Sequence, residues 1–441
     1  MCGIIISNKE IKNLNKVNKF CKNRGPDKTS VTNYNGFHFV HNLLHNTGDF
    51  LEQPIYNNNC LIIFNGEIYN YKELYKQSKS DIGCIIPTYL KYGENFVSKL
   101  DGDFCLILFD FNNKKLFISS DTFATKPLFY NISKENTIIS SYESCCLLIN
   151  NNLKYNAIKP NQCLIFSLDT YLLEKNIKIT EFDLNQYKDT YDDWNKAFEE
   201  AVLKRIPNNT IPLICLSSGM DSGAISCCIE KHNINFYPLS IKKNENIEVL
   251  NKRKEIHKNL EFISLSEQKK IYWKHYLKEN CEPCFWDWRY NPRVRTYVDA
   301  FNMGSMLGNS EIMNHIKKKD ENCRVMLTGI GADEVMARNF FYSCGFGQVD
   351  IFPENLENVF PWINFFNGSE ENYIRGQEYV GGCFNFETRY PFLDKKVIQE
   401  FLWLKPELKN GKNNNIVKPV LINYLNKNNY PYHLNKLGFN V

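Results

Sequence analysis

The chain has 441 residues, 43% of them hydrophobic and 14% aromatic, enough to bury more than one core, and at roughly 100–200 residues per domain its length suits two. Lysine and arginine total 53 against 49 acidic residues, and this interspersed near-balance gives no reason to expect a nucleic acid or an anionic membrane as partner. No stretch offers the roughly 18 uninterrupted apolar residues of a membrane helix, and residues 1–9 lack a charged region ahead of their short apolar run, so the sequence reads as cytoplasmic, with its 16 cysteines as free thiols in a reducing compartment.

In chain order, short β-rich runs come first. They lie over 36–40, over 60–64 ending at a turn-like Asn65-Gly66, and over 104–109, the texture of layered sheets with few helices. From Thr190 the period changes: Trp194, Ala197, Phe198, Ala201, Val202 and Ile206 recur at helical spacing and mark a second domain. An apolar strand over 211–216 runs into a Ser/Gly turn, a helix follows over 223–231 and a strand over 236–241, the βαβ unit of a parallel sheet. A further strand over 324–327 enters Thr328-Gly329-Ile330-Gly331. The adjacent pairs Cys145-Cys146 and Cys227-Cys228 read as core residues, the aromatic run 285–290 mainly as packing, and the Lys- and Asn-rich stretch 409–415 as a solvated loop.

Cys2 directly follows the initiator methionine, and a small residue there normally permits Met removal, which leaves an α-amine beside its own thiol. An amine with a pKa of about 8 can accept the thiol proton near neutral pH, so one residue supplies nucleophile and base. Taken alone, Cys2 reads more readily as a buried, unreactive thiol in a first strand. Arg24-Gly25-Pro26-Asp27, Asn65-Gly66-Glu67-Ile68-Tyr69-Asn70, Ser80-Asp81 and Asp121 with Lys126-Pro127-Leu128 accompany it, and together they resemble the Ntn-type glutaminase domain of the class II amidotransferases. The resemblance covers about residues 2–165 of a domain placed at 2–180, and implies an α+β layered sandwich (αββα). It implies that Cys2 attacks the glutamine amide, that Asn65 and Gly66 form the oxyanion hole, that Asp81 holds the α-ammonium, and that Glu67 also binds the glutamine. One departure stands out: Leu43 occupies the position where the family carries an arginine for the α-carboxylate. Arg24 is the nearest candidate to replace it.

The turn Ser217-Ser218-Gly219-Met220-Asp221-Ser222 sits between strand and helix, where backbone N–H groups can face an anion, although a capped turn would look the same. It resembles the Ser-Gly-Gly-x-Asp-Ser pyrophosphate loop of enzymes that cleave ATP to AMP and pyrophosphate, with Ser218 in place of the first glycine. Its position after a glutaminase-like domain is the layout of the asparagine synthetases, over about residues 190–425 of a domain placed at 190–441. Residues 327–334, residues 387–394 and Lys418 agree with that layout. The resemblance implies an α/β parallel-sheet ATP-pyrophosphatase (PP-loop) domain. ATP is expected on Leu216, Ser217, Ser218, Gly219, Asp221, Ser222, Ile241, Thr328 and Gly329, Mg²⁺ on Asp221 and Asp333, and catalysis at Lys418 and Glu387.

Here Ile330 replaces the family glutamate associated with forming the aspartyl-adenylate. The expected activity is glutamine-dependent asparagine synthesis, with glutamine, ATP and aspartate as small-molecule partners and a homodimer allowed. The alternatives are a related amide-forming enzyme with another carboxyl substrate, like the β-lactam synthetases or lasso cyclases, and a degenerate nucleotide-binding paralogue.

Overall fold

A computed structural model describes residues 1–243, 245–291, 294–337, 351–411 and 417–434. It divides into two compact units, the first formed by Met1–Glu181 with Glu279–Pro283 and Glu378–Glu387, the second by Phe182–Lys278, Cys284–Gln377 and Thr388–Val441.

Two six-stranded sheets make the first unit. One runs in the order Asn156–Ala157, Phe129–Asn131, Ile138–Ser140, Gly3–Ser7, Phe37–Leu43, Lys28–Tyr34, and the other Leu173–Lys178, Gln162–Ser167, Lys115–Ser120, Gly102–Asp110, Cys60–Ile68, Ile55–Asn57. All their pairings are antiparallel. Successive side chains of a strand face opposite sides, and the sequence uses both. Leu61, Ile63, Cys105, Ile107 and Phe109 pack against Ile4, Ile6, Phe37 and Phe39 of the other sheet. Their neighbours Ile62, Phe64, Leu106 and Leu108 pack instead under Ile85, Ile86 and Tyr89 of the helix Ile85–Tyr92. Cys146, on the helix Glu143–Ile149, packs on Phe129 and Ile138 at the outer side of the first sheet. The layers are therefore helix, sheet, sheet, helix.

Asn65-Gly66 is not a turn. The strand Cys60–Ile68 continues through it, with Asn65 opposite Cys105 and Gly66 opposite Phe104. Gly66 has φ of +130°, and a Cβ there would fall 2.0 Å from the Asp103 carbonyl oxygen, so only glycine fits this approach of backbone to backbone.

The second unit holds a sheet in the order Glu261–Ile263, Tyr237–Ile241, Leu213–Cys215, Val325–Leu327, ending on the short strand that includes Thr388 and Arg389, and its first four strands pair in parallel. The helix Asp192–Leu203 buries Trp194, Ala197, Phe198, Ala201 and Val202, with Trp194 stacked on Phe198 at 5.2 Å, whereas Ile206 lies beyond its end and is half-buried. The next helix begins at Met220 rather than 223, which places Asp221 and Ser222 in its first turn. Lys409 departs from the loop expected around it. It lies in the helix Pro406–Asn410 with its ammonium buried against the Leu402 and Leu404 carbonyls, and burial pushes its pKa down to about 7. Positions 412–415 of that stretch lie outside the described residues. Of the aromatic run, Trp286 is buried and Phe285 exposed, and the side chains at 288–290 lie outside the described residues.

Candidate active sites

The first strand delivers Cys2 to a cavity lined by Cys2, Leu43, Leu44, Asn46, Gly66, Glu67, Ser80 and Asp81, with His45, Thr47, Asp49, Leu51, Gln53, Phe64 and Ile82 completing the wall. The Cys2 backbone N–H donates to Asn65 Oδ1 at 2.6 Å, which fixes the Asn65 amide beside the thiol. Burial pushes the Cys2 thiol up to about 11 in the chain that retains Met1, so it is protonated at neutral pH. Met1 occupies the place of any base: its ammonium lies 2.7 Å from Glu387, and Asn46 Nδ2 donates to the same carboxylate oxygen at 3.3 Å. Glu387 therefore packs at the amino terminus of the first unit.

Asp81 accepts backbone N–H bonds from Ile82 at 2.8 Å and Ile68 at 3.3 Å. Burial and the neighbouring Glu67 carboxylate hold its acid well above the usual range. Thr47 donates to Glu67 at 2.8 Å. Ser80 lines the same cavity, and its buried hydroxyl has no hydrogen-bond partner.

Arg24 lies outside this wall. Its buried guanidinium donates to the Cys2 carbonyl at 2.9 Å, to the Tyr142 hydroxyl at 3.1 Å and to Glu378 at 3.2 Å. Lys126 pairs with the other oxygen of Glu378 at 2.8 Å. The Arg24 guanidinium, expected to replace the missing carboxylate clamp, is thus committed elsewhere. Asp121 lies buried as a loop organiser, accepting from Phe123, Thr125 and Phe104, and burial raises it to about 6.

In the second unit the strand Leu213–Cys215 ends at Leu216, and the chain turns through Ser217-Ser218-Gly219 into the helix Met220–Lys231. None of residues 217–222 has positive φ, so Ser218 stands where a glycine would have no conformational advantage. Ser217 and Ser222 share a hydroxyl contact of 3.0 Å, and Gly219 N–H donates to Ser217 Oγ at 3.1 Å. The Ser218 backbone N–H donates to the Glu245 carboxylate at 2.6 Å, and its hydroxyl donates to the same oxygen. An anion thus already sits on this turn. Buried Arg253 holds the turn from behind through the Ser217 and Gly219 carbonyls.

Lys418 has φ of +53° and is 3% exposed. Its ammonium bonds both Asp221 and Asp333, the latter at 2.9 Å. Burial works against that charge, but the two carboxylates outweigh it and raise the lysine above its ordinary value. Asp221, Asp333 and Lys418 are far apart in sequence and meet here. Thr328-Gly329 closes the group, since a Cβ on Gly329 would fall 2.7 Å from Asp221 Cβ. Leu216 and Ile241 are buried at neighbouring strand ends.

Residues 1–180 match the model of the glutamine amidotransferase domain. Over 98% of this chain and 74% of its own length, asparagine synthetase [glutamine-hydrolyzing] 2 of Oryza sativa subsp. japonica is 22% identical. A putative asparagine synthetase [glutamine-hydrolyzing] 1 of Methanocaldococcus jannaschii is 26% identical over 92% of this chain and 80% of its own. Over nearly its whole length the chain is similar to glutamine-hydrolysing asparagine synthetases. A probable asparagine synthetase [glutamine-hydrolyzing] of Acanthamoeba polyphaga mimivirus, 23% identical over 96% of this chain and 81% of its own, extends the same likeness. Among solved structures, the glutamine phosphoribosylpyrophosphate amidotransferase of B. subtilis matches at 11% identity, covering 99% of this chain and 98% of its own, with a TM-score of 0.34, too low to bear on the fold.

Within this asparagine synthetase relative, sequence reasoning misses Glu378, Glu245 and Arg253. No motif marks them, because each acts through a partner at least 27 positions away, such as Ser218 for Glu245. The only sequence signal is charge itself, since buried lysine and arginine in the amidotransferase motifs demand a carboxylate from somewhere.

Proposed function

We propose that the protein is an ATP-consuming amide synthetase that draws ammonia from an amide hydrolysed at Cys2 and delivers it to an adenylated carboxylate, with glutamine and aspartate as the first substrates to test. The observation that carries this reading is the meeting of Asp221, Asp333 and Lys418 beside an anion-holding strand-to-helix turn. The turn offers N–H and hydroxyl donors to phosphate. Asp221 and Asp333 offer hard carboxylate oxygens suited to Mg²⁺, and the ammonium they already share marks a place that accepts positive charge. Mg²⁺ bound there would neutralise phosphate charge as pyrophosphate leaves. Lys418, freed from the carboxylates, would face the α-phosphate and stabilise the charge that develops as the substrate carboxylate attacks. The parallel sheet with this turn at a strand's carboxyl end supports a PP-loop type of ATP-pyrophosphatase domain over 190–441.

In the amidotransferase domain, taken as 2–180, removal of Met1 would free the Cys2 α-amine to accept the thiol proton. The sulfur then attacks the amide carbon, the oxyanion is held by Asn65 Nδ2 and Gly66 N–H, ammonia leaves, and water cleaves the thioester. Glu67 and Asp81 would bind an α-ammonium. The departure at Ile330 favours a second reading in which the carboxyl substrate is not aspartate, because an aliphatic side chain can carry no proton or charge.

The test is release of AMP and pyrophosphate from Mg-ATP with aspartate, comparing glutamine with ammonium and the native chain with Cys2→Ala. Asparagine from both nitrogen sources, with only the glutamine-driven reaction lost in the variant, is expected. AMP release that ignores aspartate refutes aspartate as substrate, and nucleotide binding without any AMP refutes the synthetase reading.

A further inference from the structure

The cavity at Cys2 has a one-sided charge. Glu67, Asp81 and Asp49 line it, and among the described residues of its wall there is no lysine or arginine. The one other titratable base, His45, has its ring Nε2 on the Gly48 carbonyl at 2.8 Å. The same wall carries the apolar side chains Leu43, Leu44, Leu51 and Phe64. Leu43 is 7% exposed, so any group laid on it is taken out of water.

Free glutamine carries two charges at its α-carbon. An α-ammonium beside Glu67 and Asp81 gains charge-assisted hydrogen bonds. An α-carboxylate in the same cavity would be partly desolvated beside Glu67 and Asp81, with no lysine or arginine in the wall to meet it. A carbonyl in amide linkage avoids that conflict, because it is neutral and needs only a hydrogen-bond donor. The buried Ser80 hydroxyl, which lines the cavity and lacks a partner, is such a donor. Asp49, in the same wall, is exposed, so the cavity is open to solvent.

We propose that the amide cleaved at Cys2 is preferentially carried by a glutaminyl residue whose α-carboxyl is already in amide linkage, the first residue of a peptide, with free glutamine the poorer substrate. The inference rests on the reading of Cys2 as the amide-cleaving nucleophile and changes only what carries the amide. The chemistry balances without a further reactant. Cys2 sulfur bonds the side-chain carbonyl carbon, the C–N bond breaks, the α-amine of Cys2 returns the thiol proton to the leaving ammonia, and water hydrolyses the thioester to a glutamyl carboxylate and the free thiol.

The full chain with Met1 removed is assayed without ATP for ammonia release from L-glutamine, L-glutaminamide and glutaminylglycine, with Cys2→Ala as the background control. Both capped compounds should exceed glutamine in kcat/KM by at least about tenfold, the scale of one charge-assisted contact. Leu43→Arg should narrow or reverse that preference by restoring a cation for the carboxylate. Glutamine turned over as well as or better than the capped compounds would overturn the inference and leave the amidase reading standing. Turnover of glutaminamide without the dipeptide would overturn a peptide as carrier. No Cys2-dependent release from any of the three would overturn both readings.

Discussion

Replacing Glu378 with glutamine removes the carboxylate that Arg24 and Lys126 share, at 3.2 and 2.8 Å, where all three side chains are at most 1% exposed. A guanidinium cannot relieve the loss by releasing a proton. The cost is therefore set by Arg24, and leaving a buried charge uncompensated costs about 3–5 kcal/mol. Glutamine keeps one acceptor oxygen, and Arg24 keeps the Cys2 carbonyl and the Tyr142 hydroxyl. Glu378→Gln is accordingly expected at the low end, about 3 kcal/mol, and Glu378→Ala nearer to about 5 kcal/mol. For a unit of this size each kcal/mol shifts the melting temperature by roughly 2–4 °C, so the transition of the first unit should fall by about 6–12 °C in Glu378→Gln. Thermal unfolding followed by near-ultraviolet circular dichroism measures it. A double change of Arg24 and Glu378 to methionine should recover part of the loss, because it removes both charges. A fall below about 2 °C in Glu378→Gln would refute the argument that this network carries a fully desolvated charge. Since Arg24 also holds the Cys2 carbonyl, the glutamine-driven reaction should suffer more than the ammonium-driven one.

Other expectations follow from the same kind of reasoning. His41 is fully buried, and burial lowers it to about 3, outweighing the Phe64 backbone contact that works the other way. The unfolded chain binds the proton first, near 6.5, so stability is lost as pH falls from about 6.5 toward 3, by about 2 kcal/mol between pH 7.5 and 5. Urea denaturation at the two pH values should show that increment and His41→Leu should lack it; an equal increment in the variant would refute the assignment. Glu245→Gln removes the carboxylate held by Ser218, and should tighten the Kd for Mg-ATP by about tenfold, as calorimetry would show; unchanged affinity would mean that Glu245 does not compete with phosphate. In a chain that keeps Met1, the Cys2 thiol near 11 should react with iodoacetamide at pH 8 about 100-fold more slowly than an ordinary thiol near 9, and a normal rate by peptide mass spectrometry would refute its burial.

The layered part of the fold is readable from the unbroken apolar runs over 60–64 and 104–109, because both faces of those strands are buried and every residue must be apolar. The parallel unit is readable where Leu213–Cys215 meets a Ser/Gly turn and a helix. Asn65-Gly66 misleads because a residue pair favoured in turns is used inside a strand, where glycine serves close approach rather than chain reversal. Lys409 misleads for a similar reason: composition predicts a solvated loop, whereas three backbone and side-chain oxygens draw the ammonium inward. At the sites, motif residues show which groups can do chemistry but not which counter-charges they meet. The Glu387 carboxylate against Met1 and the Glu245 carboxylate on Ser218 depend on backbone paths that no local spacing encodes.

The discontinuity of the first unit sets the timing of its birth on the ribosome. Its two sheets are complete by residue 181, but the carboxylates that balance Arg24 and Lys126 and meet the Met1 amine come from 378–387. At about 5–20 residues per second, translation leaves an interval on the order of ten to forty seconds between them. During that interval the nascent sandwich carries Arg24 and Lys126 without the Glu378 carboxylate, so it should remain protease-sensitive and dependent on chaperones until the later segment emerges. A fragment ending at residue 180 would be arrested in that state permanently.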